Sequence, residues 1–424
     1  MQLPKEFENY TSELMGNELY SILTDALDFP PPVSIRLNPF KAGSISHSEI
    51  AEALNVESME PVPWCRDGFY LPKRPTFTFD PLFHAGAYYV QEASSMFLDF
   101  VLRQLVNKPV TMLDLCAAPG GKTTCAMAAL PKGSIIYSNE PVKNRASILT
   151  ENIIKFGHPD ITVTNNYARD YRKAGLTFDV ILTDVPCSGE GMFRKDNNAV
   201  SEWSKKGIEA CAMLQREIVD DIWQCLRPGG LLIYSTCTFN AREDEENVSW
   251  IAAELGAEPV ALESVKKEWN ITGSLHGSLP VYRFIPGKTK GEGLFMAVLR
   301  KGEDSEYLSG KVNLKALHIL SHGINPPKQK GRKTIPDISL ALSINQQENK
   351  YPKVDVDYTT AINYLRREAI ILPADAPRGI VTVCYKGFGL GFANNLGNRA
   401  DNLYPQEWRI RTTHINGSSN EWNK

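Results

Sequence analysis

Two cysteines, Cys187 and Cys237, combine a nucleophilic residue type with a local setting that suits catalysis. Each follows a short apolar run and precedes a turn of small residues, in DVPCSGEG and in YSTCTF. A residue at the carboxyl end of a strand in a parallel α/β sheet faces the crevice in which such sheets bind ligands. A cysteine in mid-strand would instead be an inert small hydrophobic residue. The two cysteines are therefore predicted to share one active site.

Methylation of carbon 5 of cytosine is a reaction in which two thiols have a use, because that carbon is a poor nucleophile. A thiolate that adds to carbon 6 makes carbon 5 enamine-like, which is covalent nucleophilic catalysis. An acid near N3 must accept the developing charge, and Asp184 lies three residues before Cys187. A base must then remove the carbon 5 proton, and a second thiol suits that step. Strand-end placement leaves open which cysteine attacks and whether Asp184 is only a turn residue.

The segment CAAPGGKT, at 116 to 123, stands between a predicted strand and a predicted helix. Such a turn directs backbone N–H groups and a helix N-terminus at a ligand. A phosphate-binding Walker loop would need glycine where the chain has Cys116, and the dinucleotide pattern G-x-G-x-x-G is absent. Glu140 ends the next strand, where a carboxylate can accept hydrogen bonds from both ribose hydroxyls. These features favour S-adenosylmethionine as the cofactor, and the alternative is that the glycines only permit a tight turn.

Apolar strands alternate with amphipathic helices in the middle of the chain, which predicts a Rossmann-like doubly wound parallel sheet. The first predicted strand of this region begins at residue 111. The next four strands cover 133–141, 161–166, 178–187 and 230–237. Two more are predicted around a glycine-rich turn in 280–301. Predicted helices cover 122–130, 142–157, 209–226 and 243–255. Outside this region, a strand is predicted at 34–39, a helix near 359–370 and a hairpin at 379–396.

Composition limits the class of protein. A chain of 424 residues is too long for one ordinary core, so several domains are expected. The eight cysteines form no Cys-x-x-Cys pair and have no histidine at zinc-ligand spacing, so reduced thiols and no metal are expected. The opening residues have no apolar signal region, and no apolar run approaches the roughly 18 residues of a membrane span. A cytoplasmic protein without a membrane partner is the expectation.

The net charge of −3 and the pI of about 6.2 do not indicate a nucleic-acid-binding protein, yet one segment is basic. No acid occurs between Glu306 and Asp337. The segment contains His318 and His322 and six basic residues: Lys311, Lys315, Lys328, Lys330, Arg332 and Lys333. This stretch suits contact with phosphate, and a solvated linker is the alternative.

The motifs around the two cysteines resemble those of the Sun family of RNA cytosine-5 methyltransferases. The matching segments are YYVQEASSM, DLCAAPGGKT, DVPCSGEGMFRK, LRPGGLLIYSTCT and GEGLFMAVLRK, which together span about 90 to 300. The segment GFGLGFANNLGNRADNLYP, at 387 to 405, is similar to the C-terminal extension of the bacterial ribosomal RNA small subunit methyltransferase F group. The resemblance implies a ribosomal RNA substrate, with 16S RNA favoured and an assembled small subunit as one form of it.

The resemblance also implies roles for single residues. Cys237 would be the nucleophile, and Cys187 would assist release of the product. A polar residue at the end of the third strand would contact adenine, where the family often has aspartate and this chain has Asn165 or Asn166, with Asn166 preferred. The remaining cofactor contacts implied are Cys116, Ala117, Ala118, Pro119, Gly120, Gly121, Lys122, Glu140 and Asp184.

Four segments are expected from the sequence and the resemblance together. They are an N-terminal α+β RNA-binding domain at 1–84, the methyltransferase domain at 85–302, a partly basic linker or accessory segment at 303–350, and a PUA-like α+β RNA-binding domain at 351–424. A monomer is expected.

Three other functions are alternatives to an RNA cytosine-5 methyltransferase of ribosomal RNA. A DNA cytosine-5 methyltransferase would use the Pro-Cys thiol with a Glu-Asn-Val motif, and the chain has Glu246, Asn247 and Val248. Those residues follow the Thr-Cys strand and begin an acidic helix, and the Phe-x-Gly-x-Gly cofactor loop is missing. A transfer RNA methyltransferase is the second alternative. A non-catalytic RNA-binding ribosome-assembly factor is the third, and loss of a thiol or of Asp184 would have favoured it.

Overall fold

A computed structural model describes residues 1–41, 43, 46–331, 333–345 and 350–412. The chain forms two compact units. The first comprises Met1–Pro75, Tyr88–Ile153 and His158–Gly323, and the second comprises Thr76–Ala87, Ile154–Gly157 and Ile324–Lys424. Residues 76–87 therefore group with the C-terminal unit, although the sequence places the first domain boundary after residue 84. Arg332 and the end of the predicted C-terminal domain, 413–424, lie outside the described residues.

The N-terminal part of the first unit is a long helix followed by a small antiparallel sheet. The helix, Lys5–Leu27, contains non-helical backbone at Gly16, where φ is 71°. The sheet has the order β2-β3-β1-β4, and its strands are β1 (Val33–Leu37), β2 (Glu60–Pro61), β3 (Gly68–Leu71) and β4 (Tyr88–Val90). The strand predicted at 34–39 is confirmed as β1. A short helix, His47–Ala53, lies between β1 and β2.

A nine-stranded sheet forms the centre of the first unit in the described part of the chain. Its strands are β5 (Thr111–Asp114), β6 (Ile135–Asn139), β7 (Ile161–Thr164), β8 (Phe178–Asp184), β9 (Leu226–Thr236), β10 (Ala257–Pro259), β11 (Val281–Phe284), β12 (Leu294–Lys301) and β13 (Ile319–His322). The order is β10-β12-β9-β8-β5-β6-β7-β13, and β11 pairs with β12. Strands β9, β8, β5, β6 and β7 run parallel. The predicted doubly wound sheet is confirmed.

Burial explains why the central strands are nearly continuous apolar runs, since helices cover a parallel sheet on both faces. Leu113, Ile181 and Leu232 are completely buried in the same core. The helices of this region are Phe97–Leu105, Gly121–Ala129, Lys143–Phe156, Ala168–Ala174, Asn197–Glu202, Lys205–Trp223 and Glu245–Leu255, with 3₁₀ turns at Ser94–Met96, Glu190–Met192, Lys267–Trp269 and Leu314–Ala316.

One helix is displaced from its predicted position, and its cap gives the reason. The side chain of Ser204 accepts a hydrogen bond from the N–H of Gly207, so the helix predicted at 209–226 begins at Lys205. It ends at Trp223, and residues 226–229 belong to β9 instead of terminating the helix. The chain crosses Gly229 at a φ of 70°, a left-handed value that glycine adopts without strain.

The first part of the basic segment contributes a strand to the nine-stranded sheet. Strand β13 pairs antiparallel with β7, with Ile319 opposite Thr164. The side chain of Asn166 also holds the main chain of His318, accepting from its N–H at 3.0 Å and donating to its carbonyl at 3.3 Å. Residues 314–322 are therefore structured, which excludes a solvated linker for this part.

The second unit contains a two-stranded ribbon, β14 (Lys328–Lys330) with β15 (Lys333–Ile335), and a four-stranded sheet. The sheet has the order β16 (Lys353–Asp355), β17 (Gly379–Tyr385), β18 (Phe388–Asn395) and β19 (Ala400–Asn402). Strands β17 and β18 form the hairpin predicted at 379–396. The unit's helices are Pro81–His84, Ile338–Leu342 and Tyr358–Leu365, with 3₁₀ turns at Phe77–Phe79 and Gln406–Trp408.

Candidate active site

The two cysteines predicted to meet are in contact. Cys187 follows β8 and Cys237 follows β9, and because these strands are parallel neighbours their carboxyl ends open at the same place. The Sγ atoms of the two cysteines are 3.2 Å apart. The hydrogen bond with Cys237, together with burial, raises the pKa of the Cys187 thiol well above its ordinary value. The same hydrogen bond lowers the pKa of Cys237, and it outweighs the opposing effects of burial and of the Asp184 charge.

These opposite directions make Cys237 the sulfur that ionises more readily. The 3.2 Å contact itself allows either sulfur to be the donor. A thiolate that accepts a hydrogen bond and faces a nearby ammonium group has the character of a nucleophile. The asymmetry between the two sulfurs is a property of the local geometry.

Asp184 ends β8 and lies in the same crevice. One carboxylate oxygen accepts a hydrogen bond from Lys122 Nζ at 2.9 Å, and the other accepts one from the hydroxyl of Ser235 at 2.7 Å. Lys122 comes from the first turn of the Gly121–Ala129 helix, so the ion pair joins the cofactor loop to the cysteine strands. The sequence predicted Asp184 and Lys122 as site residues without predicting this bond between them.

Two buried carboxylates fix the loops that carry the cysteines, and each acts across to the other loop. Glu190, in the Cys187 loop, accepts from the N–H of Phe239 at 2.7 Å and from the hydroxyl of Thr238 at 2.7 Å. Glu243, beyond the Cys237 loop, accepts from the N–H of Ser188 at 3.0 Å. Both glutamates are completely buried. We call this pair the carboxylate clamp.

The sequence did not predict the two clamp residues, although each glutamate lies in a segment with an unusual composition. Glu190 is flanked by glycines in SGEG, and Glu243 begins an acidic run that an exposed helix N-terminus also explains. Gln215, from the Lys205–Trp223 helix, donates to Glu243 at 2.7 Å and to the carbonyl of Pro186 at 2.9 Å. Only the fold shows that this amide supports both loops.

The predicted cofactor loop connects β5 to the Gly121–Ala129 helix. Gly120 has a φ of 113°, which favours glycine, and a Cβ there would also lie tightly, at 3.2 Å, against a methyl group of Leu149. The N–H of Ala117 donates to the carbonyl of Asn139 at 2.7 Å, which ties the loop to the end of β6. Gly121 starts the helix, whose N-terminal N–H groups lie beside the loop.

Glu140, the predicted ribose ligand, has the free acceptor that this role needs. Its side chain is 1 % exposed, and one carboxylate oxygen accepts from the N–H of Val142 at 2.9 Å. The other oxygen is buried and accepts no hydrogen bond from the described residues. Its nearest charge is Arg145, whose Nη2 lies 3.4 Å away. A buried oxygen of this kind fits a ligand hydroxyl, because an unmet acceptor is costly.

The two asparagines predicted for adenine differ in what they already bind. Both ends of the Asn166 amide are used by the main chain of His318. The nitrogen of Asn165 donates to the carbonyls of Glu140 and Pro141 at 2.7 and 2.9 Å. Both side chains therefore support the walls of the crevice. Tyr167 follows them, and it is 60 % exposed.

A further acid, for which the sequence gave no prediction, lies directly before the cofactor loop. Asp114 ends β5 and is completely buried, and it accepts from the hydroxyl of Thr123 at 2.6 Å. Burial is the largest cause that raises its pKa to about 7.

No group of three or more His, Cys, Asp or Glu residues within the described ranges is arranged to hold a metal ion. No helix there is long and apolar enough to cross a membrane.

A glycine loop after the first strand of a parallel sheet and an acid after the second are the arrangement of a Rossmann-like nucleoside-binding fold. The chain belongs to the family described as 16S rRNA methyltransferase RsmB/F, whose model matches residues 102–300. The model for the N-terminal domain of 16S rRNA methyltransferase RsmF matches residues 3–93, and the model for the methyltransferase RsmF PUA domain matches residues 351–410. S-adenosylmethionine is accordingly the cofactor.

Relatives support the same family. The chain is 36% identical to ribosomal RNA small subunit methyltransferase F of Shewanella amazonensis over 481 residues, which covers 96% of the chain and 98% of the relative. It is 35% identical to the protein of that name from Pectobacterium atrosepticum over 307 residues, and there it spans about 63% of the relative's length.

Two solved structures share the fold. A methyltransferase homolog protein from Pyrococcus horikoshii superposes with a TM-score of 0.59 at 27% identity, over 70% of this chain and 95% of that one. NSun6 from Pyrococcus horikoshii, solved with SFG, superposes with a TM-score of 0.60 at 24% identity, over 71% and 99% of the two chains.

Proposed function

We propose that the protein is an RNA cytosine-5 methyltransferase that modifies ribosomal RNA of the small subunit. The observation that carries the proposal is the 3.2 Å contact between Cys187 and Cys237 beside the Lys122–Asp184 pair. A single thiol suffices to add to a base, so a second thiol in contact with it indicates a reaction in which the adduct must also be released. The family descriptions support 16S rRNA as the substrate, and the names of the relatives support ribosomal RNA of the small subunit.

The proposed reaction starts at Cys237. Its thiolate forms a bond to carbon 6 of cytosine, and the electrons of the C5–C6 double bond move toward N3, where Asp184 in its protonated form supplies a proton. Both Asp184 oxygens accept hydrogen bonds in the structure, so this acid form has to arise when the base binds. The ammonium group of Lys122 offsets the charge on the Asp184 carboxylate that results. S-adenosylmethionine supplies the methyl group that carbon 5 acquires. Cys187 loses its own proton to solvent and, as a thiolate, removes the carbon 5 proton. N3 then returns its proton to Asp184, the C5–C6 double bond re-forms, and the Cys237 thiolate leaves.

Cofactor binding is proposed for the loop from Cys116 to Lys122 and for the acids around it. The free oxygen of Glu140 accepts from the ribose hydroxyls, and the backbone of the glycine turn contacts the amino-acid part. Asn166 or Asn165 contributes at the adenine end. Since the Asn166 amide already binds His318, its contribution is to hold that wall of the crevice.

RNA binding is proposed for the regions on either side of the methyltransferase domain. Residues 3–93 and 351–410 match domain models named for RsmF, and the second of these is a PUA domain. The proposal includes a small-subunit RNA substrate, free or assembled. Transfer RNA remains the alternative substrate, because the two thiols and Asp184 would act on any accessible cytosine.

A pair of cysteine substitutions tests the proposal. Cys237→Ala should abolish methylation and covalent capture of RNA, because no nucleophile remains. Cys187→Ala should retain capture and accumulate a protein–RNA adduct that survives denaturing electrophoresis, because release is blocked. Cys211→Ala is the matched control, because Cys211 is a half-buried residue of the Lys205–Trp223 helix. It should methylate and capture RNA as the unmodified protein does. An adduct in Cys237→Ala and none in Cys187→Ala would reverse the two roles.

The substrate is tested separately. Mass-spectrometric mapping of 5-methylcytosine in ribosomal and transfer RNA, from cells with and without the gene, should show one or more 16S positions that depend on it. A dependent position in transfer RNA alone would support the alternative.

A further inference from the structure

A cavity of 760 Å³ opens in the first unit beside the segment that follows Cys187. Its walls come from the end of the N-terminal helix, the small antiparallel sheet and the turn between β11 and β12. We call it the Trp64 cavity. Its volume lies within the roughly 300–1,000 Å³ that is usual for small-ligand sites. None of the residues placed in the methyl-transfer reaction lines it.

Aromatic rings form the apolar part of the Trp64 cavity. Trp64 and Trp269 are 4 % and 7 % exposed, and their ring centroids are 6.1 Å apart at 68°. A hydrogen bond from Trp64 Nε1 to the carbonyl of Ala93, at 2.7 Å, fixes the first ring. Phe29 also lines the cavity but is 68 % exposed. Because Trp64 and Trp269 are almost fully covered, Phe29 at the rim is the ring of this cavity with an open surface on which a flat ligand can stack.

The charges that line the cavity are balanced. Asp25, Glu60 and Glu268 are present with Arg194, Lys288 and Lys290. Lys290 forms an ion pair with Glu60 and lies 4.2 Å from the centroid of the Tyr70 ring. A cradle for phosphate would need an excess of positive charge, and a cation site would need an excess of acids. A neutral polar ring fits this balance better than either ion.

Arg194 has a donor in this cavity that the described residues leave unused. Its Nη2 donates to the carbonyl of Gly291 at 2.7 Å and its Nη1 to the carbonyl of Ala26 at 3.3 Å. Its Nε is buried without a hydrogen-bond partner in the part of the chain that the structure describes. Burial is also the largest cause that lowers the pKa of the guanidinium. An acceptor on a ligand, such as a base carbonyl or ring nitrogen, would satisfy that donor once a shift of the side chain exposes it, since the Nε has almost no accessible surface in this structure.

The cavity is close to the reacting groups along the chain. The N–H of Gly191 donates to the carbonyl of Cys237 at 2.8 Å, and Arg194 is three residues further on. Three residues span at most about 11 Å. A polymer whose target base reaches Cys237 therefore has neighbouring units within reach of the Trp64 cavity.

We propose that the Trp64 cavity binds one unpaired base of the RNA, a close neighbour of the target cytosine. The inference rests on the proposed function, since it assumes an RNA substrate. An enzyme that acts on a base must take that base out of its stack, which leaves adjacent bases unstacked as well. A second site that stacks a neighbour compensates for that loss and selects RNA in which the neighbour is unpaired.

The test compares Phe29→Ala with Tyr307→Ala, an exposed aromatic residue that does not line the cavity. Phe29→Ala should raise the KM for the RNA about tenfold, because stacking a base on an aromatic ring contributes about 1–3 kcal/mol. The KM for S-adenosylmethionine should not change. Phe29→Tyr should restore the KM for RNA, and Tyr307→Ala should leave it unaffected.

Ultraviolet cross-linking of the unmodified protein to its RNA identifies the ligand directly. Peptides cross-linked to a nucleotide should include residues 22–32 or 60–70. An unchanged KM for RNA in Phe29→Ala, with methylation intact and cross-links elsewhere, would overturn the base site alone. A raised KM for assembled subunits but not for free RNA would also overturn it, because the cavity would then contact protein. Absence of methylation on any RNA would defeat the proposed function instead.

Discussion

At the scale of single residues, the hydrogen bond between Cys187 and Cys237 sets the reactivity of the site. It lowers the pKa of Cys237 and raises that of Cys187. Cys187→Ala removes the donor, so the pKa of Cys237 should move up. The pH at which Cys237 is alkylated at half its maximal rate by iodoacetamide, followed by mass spectrometry, should rise accordingly.

The matched variant for this prediction is Cys187→Ser, which keeps a hydroxyl donor at the same position. Its alkylation midpoint should lie between those of the unmodified protein and Cys187→Ala. An identical midpoint in all three proteins would show that the hydrogen bond from Cys187 does not set the pKa of Cys237.

Asp114 gives a second prediction at this scale, in which pH acts on stability. Burial raises its pKa to about 7, from an ordinary value of 3.8. The protonated form is therefore favoured by folding, and stability that is present below about pH 4 is lost as the pH rises to about 7. A rise of that size corresponds to at most about 4 kcal/mol. Asp114→Asn should remove this loss.

The measurement is thermal unfolding of both proteins at pH 5 and at pH 8. The advantage of Asp114→Asn should be larger at pH 8 than at pH 5, because the unmodified carboxyl is ionised there. Thr123→Ala, which removes the hydroxyl that donates to Asp114, should lower the melting temperature more at pH 8 than at pH 5. Equal differences at the two pH values would contradict a raised pKa.

At the scale of elements, the carboxylate clamp joins the ends of two parallel strands that the sheet alone leaves as separate loops. Glu190→Gln keeps the size of the side chain but replaces one acceptor oxygen with a donor. Either the oxygen that accepts from Phe239 and Thr238 or the one that accepts from Trp203 is therefore lost. The rate of methyl transfer should fall about tenfold or more, because small displacements of reacting groups are costly. The dissociation constant for S-adenosylmethionine, measured by calorimetry, should be unchanged.

Glu209→Gln is the control for the clamp, since Glu209 is exposed and pairs only with Arg242 among the contacts described. It should leave the rate as it is. A Glu190→Gln protein that melts earlier yet transfers methyl groups at the full rate would mean that the clamp stabilises the fold without positioning the sulfurs.

The elements also show how far the sequence predicts this site. The strand ends at Asp184 and Glu140 follow from apolar runs and chain order, because a parallel sheet collects such ends on one edge. The clamp does not follow from them, since Glu190 and Glu243 are 53 residues apart in the numbering and acquire their roles only when the loops meet. Strand β13 is likewise hidden in a basic segment without strand periodicity, and its pairing depends on the exposed edge of β7.

At the scale of the whole molecule, the N-terminal helix is part of the catalytic unit instead of a separate attachment. The ring of Phe7 is completely buried and lies 5.1 Å from that of Phe193 and 5.5 Å from that of Trp203, centroid to centroid. Trp203 Nε1 in turn donates to Glu190 at 2.9 Å. The first helix therefore reaches Glu190 of the carboxylate clamp through the ring of Trp203.

Phe7→Ala tests this connection. Removing a buried phenylalanine ring leaves a cavity and should lower the free energy of unfolding by about 3 kcal/mol. The methyl-transfer rate should also fall at temperatures well below the melting point, because Trp203 loses the ring that holds it against Glu190. Urea unfolding and single-turnover methylation at 25 °C measure the two effects. Phe29→Ala removes a ring that is 68 % exposed and should leave stability unchanged. A Phe7→Ala protein that is destabilised but transfers methyl groups at the full rate would separate the helix from the clamp.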